Sequence, residues 1–225
     1  MICMCEWKLA VFDLDGVLTD TAKYHFLAWK MTLEDMGIPV IDEINELVKG
    51  VSRQDSLKII LDKANVPLDQ NMFQRLLDKK NTLYLQLIKK LTEQDVLPGI
   101  LNLLETLKNR DIVCVVASAS KSAPLILQQL KINSFFKGIV NPAEIKNGKP
   151  APDIFLKACE IAGISPQFGI GFEDARVGIQ AIKAAGLKAV AIGDKGLLNE
   201  SPDLYYQYSN QLEFDQINKL MEVPA

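Results

Sequence analysis

Five short apolar runs constrain this chain more than any other feature: Leu9 to Phe12, Ile112 to Ala117, Gly138 to Val140, Phe168 to Phe172 and Ala189 to Ile192. They are apolar almost throughout rather than at alternate positions, the pattern of parallel strands buried on both faces. Helical patterns separate the last four. Ile100, Leu103, Leu104 and Leu107 recur at helix spacing after the Pro98-Gly99 break, and Ala175, Ile179 and Ile182 do so ahead of Gly186. Strand alternating with helix predicts an α/β fold built on a doubly wound parallel sheet.

The stretch from about Thr21 to Val96 breaks that alternation, because it holds no convincing strand. Phe26, Trp29 and Leu33 mark a first helix, Leu57, Ile60 and Leu61 a second, and Leu76, Leu77, Leu83, Tyr84, Leu87 and Leu91 a long later one. Residues 21–96 therefore read as a helical cap inserted into an α/β core made of residues 1–20 and 97–225. No internal repeat or low-complexity segment interrupts either part. The tail after Asp194 is only weakly periodic as far as Leu212, and its detail stays open.

Composition narrows the partners. With 225 residues, 48% hydrophobic and 24% charged, the chain can build one large core, or a core and a smaller module. A net charge of −3 leaves no positive excess to replace the counterions of nucleic acid or of an acidic membrane, so neither partner is expected. Glu6 and Lys8 interrupt the N-terminus and argue against a secretory signal. No segment approaches the roughly 18 uninterrupted apolar residues of a membrane span. Cys114 lies in a strand-like run, Cys159 in a helical pattern, and Cys3 and Cys5 near a chain end. That scatter predicts reduced thiols and a cytoplasmic location, and Cys3 and Cys5 lack two further ligands at the spacing a metal site needs.

Ligands of open parallel sheets bind beyond the carboxyl ends of the strands, so the residues directly after each run matter most. The first run leads into Asp13-Leu14-Asp15-Gly16, where two carboxylates at i and i+2 can converge on one cation or substrate once Gly16 lets the chain turn. A turn with solvated acids is the alternative, and an EF-hand is excluded because the later ligands and closing glutamate are missing. The second run ends in Ala117-Ser118-Ala119-Ser120-Lys121-Ser122, whose hydroxyls and N–H groups suit a phosphate oxygen, unless Ser120 or Ser122 serves only as a helix cap. After the third comes Lys149, stiffened by nearby prolines. Its ammonium is either a solvated charge in a turn or the group that neutralises a carboxylate and a phosphoryl group held together. The fourth run ends in Glu173-Asp174, which either complement a helix dipole or, with Asp13 and Asp15, make the oxygen-rich site that Mg²⁺ prefers.

Three features of the cap bear on the acceptor. Thr21, His25 and Trp29 recur every four residues and share one helical face, and His25, the sole histidine, is there for packing or for chemistry. Lys49 to Ser56 reads as a glycine turn followed by a helix capped by Ser52, with Asp55 three residues on. Arg53 shares its stripe with Leu57, Ile60 and Leu61, so its guanidinium needs an anionic partner, either a structural carboxylate or a substrate phosphate. Lys80, with Leu76 and Tyr84 four residues to either side, poses the same question, and Lys80 and Asn81 can face the cleft.

Taken in order, the four loops resemble the nucleophile, Ser/Thr, lysine and acidic loops of the haloacid dehalogenase superfamily, over the whole chain and including the position of the cap. Asp13 to Thr21 with Tyr24-His25-Phe26, Lys49 to Ser56, Lys80-Asn81, Ala117 to Lys121 and Lys149 to Asp153 are similar to its β-phosphoglucomutase family. That resemblance implies a Rossmann-like core with a cap that opens and closes. It implies interconversion of β-D-glucose 1-phosphate and β-D-glucose 6-phosphate through β-glucose 1,6-bisphosphate and an aspartyl-phosphate at Asp13, with a sugar-phosphate phosphatase of the same superfamily, using the same catalytic loops, as the alternative. Asp15 is implied as general acid and base, Lys149 as the neutralising cation, and Thr21 and His25 as the link between closure and Asp15. Gly50, Arg53, Ser56, Lys80, Asn81, Ser118, Ala119, Ser120 and Ser122 are implied to hold the phosphosugar. Mg²⁺ is implied on Asp13, a backbone carbonyl at Asp15, Glu173 and Asp174. A monomer acting on this small molecule is the matching expectation. One departure is Ser122, where the family often has asparagine; a hydroxyl reaches less far than an amide, and a water or a neighbouring N–H would have to take over its contact.

Overall fold

A computed structural model describes residues 6–40 and 42–222, so Cys3 and Cys5 lie outside the described residues. Among these, the strands β1 (Leu9–Phe12), β2 (Val113–Val116), β3 (Gly138–Ile139), β4 (Gly169–Glu173), β5 (Lys188–Ile192) and β6 (Leu204–Tyr206) form one six-stranded sheet of order β3-β2-β1-β4-β5-β6, parallel throughout. The doubly wound sheet expected from the apolar runs is present. Its register places Phe12 level with Val116 on one side and with Phe172 on the other, so β1 and its neighbours end at one height.

Why the strands are apolar throughout follows from what covers them. Successive side chains face opposite sides of a sheet. Ala10 and Phe12 enter one apolar cluster with α5 (Ile100–Asn109) and α6 (Ala123–Gln129), through Leu103, Leu104, Leu107, Ile126 and Leu127. Leu9 and Val11 enter the other with α7 (Asp153–Ala162) and α8 (Arg176–Ala184), through Phe155, Ala158, Ile179 and Ile182. The Phe12 and Phe172 rings stack at 4.5 Å between centroids, tying β1 to β4 next to the strand ends. The short helix α9 (Phe214–Asn218) adds Ile217 to the first cluster.

β6 is absent from the runs read in the sequence. It is a three-residue edge strand, half-buried at Leu204 and Tyr205, so it carries no continuous apolar signature. The neighbouring runs begin or end a residue away from expectation: Phe168 closes a 3₁₀ turn before β4, and Ile112 and Ala117 flank β2.

Between β1 and β2 the chain is helical: α1 (Ala22–Leu33), α2 (Asp42–Val48), α3 (Arg53–Ala64) and α4 (Gln70–Ile88). Ser52 caps α3 as expected, its hydroxyl accepting the Asp55 N–H at 3.2 Å and donating to the Asp55 carboxylate at 2.6 Å. Trp29, Leu33, Leu57, Ile60, Leu76 and Leu77 form a third apolar cluster within these helices. The helix expected to run as far as Leu91 ends at Ile88, and Leu91 is buried in the cluster beneath the sheet instead. α4 is shared between clusters: Leu76 and Leu77 pack among the inserted helices, whereas Tyr84 and Ile88 pack with the sheet.

Candidate active site

The strand order reverses direction between β1 and β4, and polar chemistry gathers outside the carboxyl ends of these two strands. Asp13 follows β1 directly, held by its N–H to the Phe172 carbonyl at 3.0 Å. Glu173 is the last residue of β4, fully buried, and its Oε2 accepts the Asp174 N–H at 2.7 Å. Lys149 comes in from the loop before α7 and donates to Asp13 Oδ1 at 2.6 Å and to Glu173 Oε1 at 2.7 Å. Burial alone would lower the Lys149 pKa, but the two carboxylates outweigh it and hold the ammonium above the ordinary lysine range.

One glycine makes the convergence possible. Gly16 has φ of +77°, and a side chain on it would overlap the Asp174 carboxylate, so the turn after Asp15 and the close approach of the acidic loop both depend on this residue.

Asp13, Glu173 and Asp174 each offer an oxygen within 4.8 Å of the others. Burial, then the neighbouring Glu173 and Asp13 charges, raise the Asp174 pKa well above the carboxylate range, and burial pushes Glu173 up to about 7 against the pull of Lys149. Lys149 bonds two of these three carboxylates, and the three together make an oxygen-only set that fits a hard divalent cation.

A cavity of about 540 Å³ opens above this cluster, and every site residue proposed from the sequence lines it except Thr21 and Glu173, which are buried behind its wall. On the sheet side Ser118 is buried and its Oγ accepts the Ser120 N–H at 3.1 Å, while Ser120 Oγ accepts the Ser122 N–H at 3.3 Å. Each hydroxyl proton stays available to an anion. Ser122 lines the cavity at the start of α6 and makes no side-chain cap bond.

The opposite wall belongs to the inserted helices. Arg53, the first residue of α3, presents a buried Nη1 that has no hydrogen-bond partner among the described residues, and burial lowers its pKa while Asp78 raises it. Lys80 is buried, with Nζ 2.7 Å from His25 Nδ1, 4.5 Å from the Tyr84 ring centre and 5.3 Å from that of Trp29. Burial, partly offset by Asp15, brings its pKa down to about 7. Burial and the Lys80 charge push His25 well below the ordinary imidazole range, so the ring is neutral. With Nδ1 accepting from Lys80, the ring proton sits on Nε2, 3.8 Å from Asp15 Oδ2. Asp15 itself rises to about 8, through burial first and the Asp13 charge second, and its Oδ1 is buried without a partner.

Thr21 Oγ1 is also unpartnered, at the start of α1. The Tyr84 hydroxyl, whose pKa burial raises, has Thr21 and Ser120 as neighbours but no hydrogen bond of good geometry. Tyr84 lines the cavity and its ring lies 4.0 Å from that of His25. Sequence reasoning missed it as a site residue, although its place four residues after Lys80 was the available signal. Lys49 lines the cavity as well and was not singled out.

The model of the haloacid dehalogenase-like hydrolases matches residues 7–186, and the chain belongs to that family. Within it, the chain is 44% identical over 217 residues to the β-phosphoglucomutase of Bacillus subtilis (strain 168), with 96% of each chain covered. It is similar also to the crystal structure of a β-phosphoglucomutase from Clostridium difficile, with a TM-score of 0.92 at 38% identity over 95% of this chain and 96% of that one. A more remote relative, the phosphorylated carbohydrates phosphatase of Thermotoga maritima, is 28% identical over 81% of this chain and 83% of its own length.

Proposed function

We propose that this chain is a β-phosphoglucomutase, which interconverts β-D-glucose 1-phosphate and β-D-glucose 6-phosphate through β-glucose 1,6-bisphosphate. The observation that carries the reading is a cavity with two facing anion sites. One surrounds Asp13, with Lys149 and Ser118; the other is Arg53 on the opposite wall, whose buried Nη1 has no hydrogen-bond partner among the described residues. A phosphatase needs only the first. An enzyme that handles a sugar phosphorylated at both ends needs both, and the similarity to the Bacillus subtilis and Clostridium difficile proteins supports this choice.

In the proposed reaction an Asp13 oxygen attacks phosphorus of the bisphosphate in line, and the bond from phosphorus to the sugar oxygen breaks. Asp15, with its pKa raised to about 8, is protonated at neutral pH while Asp13 is free, and it gives that proton to the departing oxygen. In the second half-reaction the Asp15 carboxylate takes the proton of the other sugar hydroxyl as that oxygen attacks the aspartyl-phosphate. Lys149 and Ser118 neutralise and orient the transferring group. Asp13, Glu173, Asp174 and a backbone carbonyl at Asp15 would hold Mg²⁺, which supplies positive charge to the phosphoryl oxygens. His25 and Thr21 position Asp15, while Arg53, Ser56, Lys80, Asn81 and the turn at Gly50 grip the sugar and its idle phosphate.

Residues 21–96 act here as a cap over a core of 1–20 and 97–225, keeping water from the aspartyl-phosphate until a phosphosugar is bound. A cytoplasmic monomer with no nucleic-acid or membrane partner completes the reading; among the described residues no helix is long and apolar enough to cross a membrane.

Incubation with β-glucose 1-phosphate, Mg²⁺ and a trace of the bisphosphate should yield glucose 6-phosphate. Free phosphate in its place would favour the phosphatase reading. Asp13→Asn should abolish both turnover and the phosphoenzyme, and phosphorylation persisting at another residue would sink the assignment.

A further inference from the structure

Residues 49–53 bring together two features that the reaction needs at one moment. Arg53 reaches the cavity at the start of α3, and Gly50, three residues earlier, lies against the segment that follows Asp174. Gly50 has φ of +72°, and a Cβ built on it would stand 3.0 Å from Ala175 Cβ, 3.4 Å from Val177 Cγ2 and 3.8 Å from Glu173 Oε1. Beneath the contact there is no slack, because a side chain on Gly178 would overlap the Glu173 carboxylate. The inserted helices therefore touch the sheet domain at a tight spot immediately beside the acidic loop.

We propose that Ala175 and Val177 are positioning residues that form the seat for the Gly50 turn, so that capture of a phosphate by Arg53 and sealing of the cavity over Asp13 occur together. The seat's height is set by one methyl group and one isopropyl group. A taller seat props the turn away and admits water; a hollow one lets it settle loosely. The inference rests on the phosphosugar reading, but it needs only that the chain turns over some phosphosugar.

The test compares Ala175→Leu and Val177→Ala with the parent. Ala175→Leu should raise KM for the phosphosugar about tenfold, shorten the lifetime of the aspartyl-phosphate in water several-fold, and weaken the thermal protection that glucose 1-phosphate gives. Phosphoenzyme formation from acetyl phosphate, and the Mg²⁺ concentration it requires, should stay within about twofold of the parent. Val177→Ala should shift KM and lifetime the same way by about threefold. If acetyl phosphate reactivity and Mg²⁺ demand deteriorate in step with sugar turnover, the two residues merely support the acidic loop and the proposal falls. Should Ala175→Leu not fold, Val177→Ala decides alone, and an unchanged KM and lifetime overturn the seat. A parent that releases phosphate without making glucose 6-phosphate refutes the mutase reading, and the seat is then tested through KM for the ester it hydrolyses.

Discussion

Two lysines, Lys149 and Lys80, are both buried beside the same cavity, yet their surroundings are opposite. Lys149 bridges two carboxylates at 2.6 and 2.7 Å and is held firmly as a cation. Lys80 has one bond, to a neutral imidazole, and two aromatic faces, and its pKa falls to about 7. The same contrast runs through the two walls. On the sheet side, Lys149, Ser118 and Glu173 have partners before any substrate arrives. Across the cavity, Arg53 Nη1 and His25 Nε2 are buried without one among the described residues. Apart from Asp15 Oδ1, which also lacks a partner among the described residues, the sheet side is finished chemistry, whereas the helical side is completed by what enters.

Breaking the finished side should have the largest effect. Lys149→Ala leaves Asp13 and Glu173 buried and unpaired, which should cost about 3 to 5 kcal/mol in denaturant titrations of the metal-free chain. Turnover should fall by at least about 10³-fold, because the transferring group loses its fixed cation. A variant with near-parent stability would show that the contrast between the walls has been misjudged.

On the waiting side, Arg53→Ala should reduce kcat/KM for the phosphosugar by about 10²-fold while changing hydrolysis of a small acyl phosphate by less than about threefold. Equal losses on both substrates would place Arg53 with the finished machinery.

Lys80→Met sharpens the comparison through stability. The folded-state pKa of Lys80 is depressed from 10.5 to about 7, so the unfolded chain binds its proton more tightly, and this group's contribution improves as pH rises from about 7 to 10.5. The variant should therefore be more stable than the parent by about 1 to 3 kcal/mol near neutral pH, with the margin shrinking toward pH 10, and should lose phosphosugar turnover. A margin independent of pH in thermal melts would mean that the ammonium is not the source. The smallest effect belongs to Tyr84→Phe, which removes an unpartnered hydroxyl and should stabilise by less than about 1 kcal/mol in the same melts.

Much of this was legible because strand ends and chemistry coincide in the sequence. Asp13, Ser118 and Glu173 each close or follow an apolar run, so locating the strands also located the catalytic edge. Lys149 is harder to place, since its position depends on a loop that returns to the sheet from outside any run. β6 escaped because a three-residue edge strand has one flank exposed and no pattern long enough to read. Tyr84 escaped for another reason. Helical periodicity says that a residue is buried but not against which cluster, and on α4 consecutive turns face different ones. The isolation of Arg53 Nη1 is a matter of who fails to arrive at a distance, which no local spacing records.

The divided allegiance of α4 limits how such a molecule can be remodelled. Excising everything between β1 and β2 as an interchangeable part would also remove Tyr84 and Ile88 from beneath the sheet and leave a hole there. A foreign helical segment would have to refill that hole before it could serve any new substrate. Changes confined to the stretch from Lys49 to Ser56 disturb neither of the large clusters that flank the sheet, so diversification of substrate choice has its easiest path through that stretch rather than through wholesale replacement.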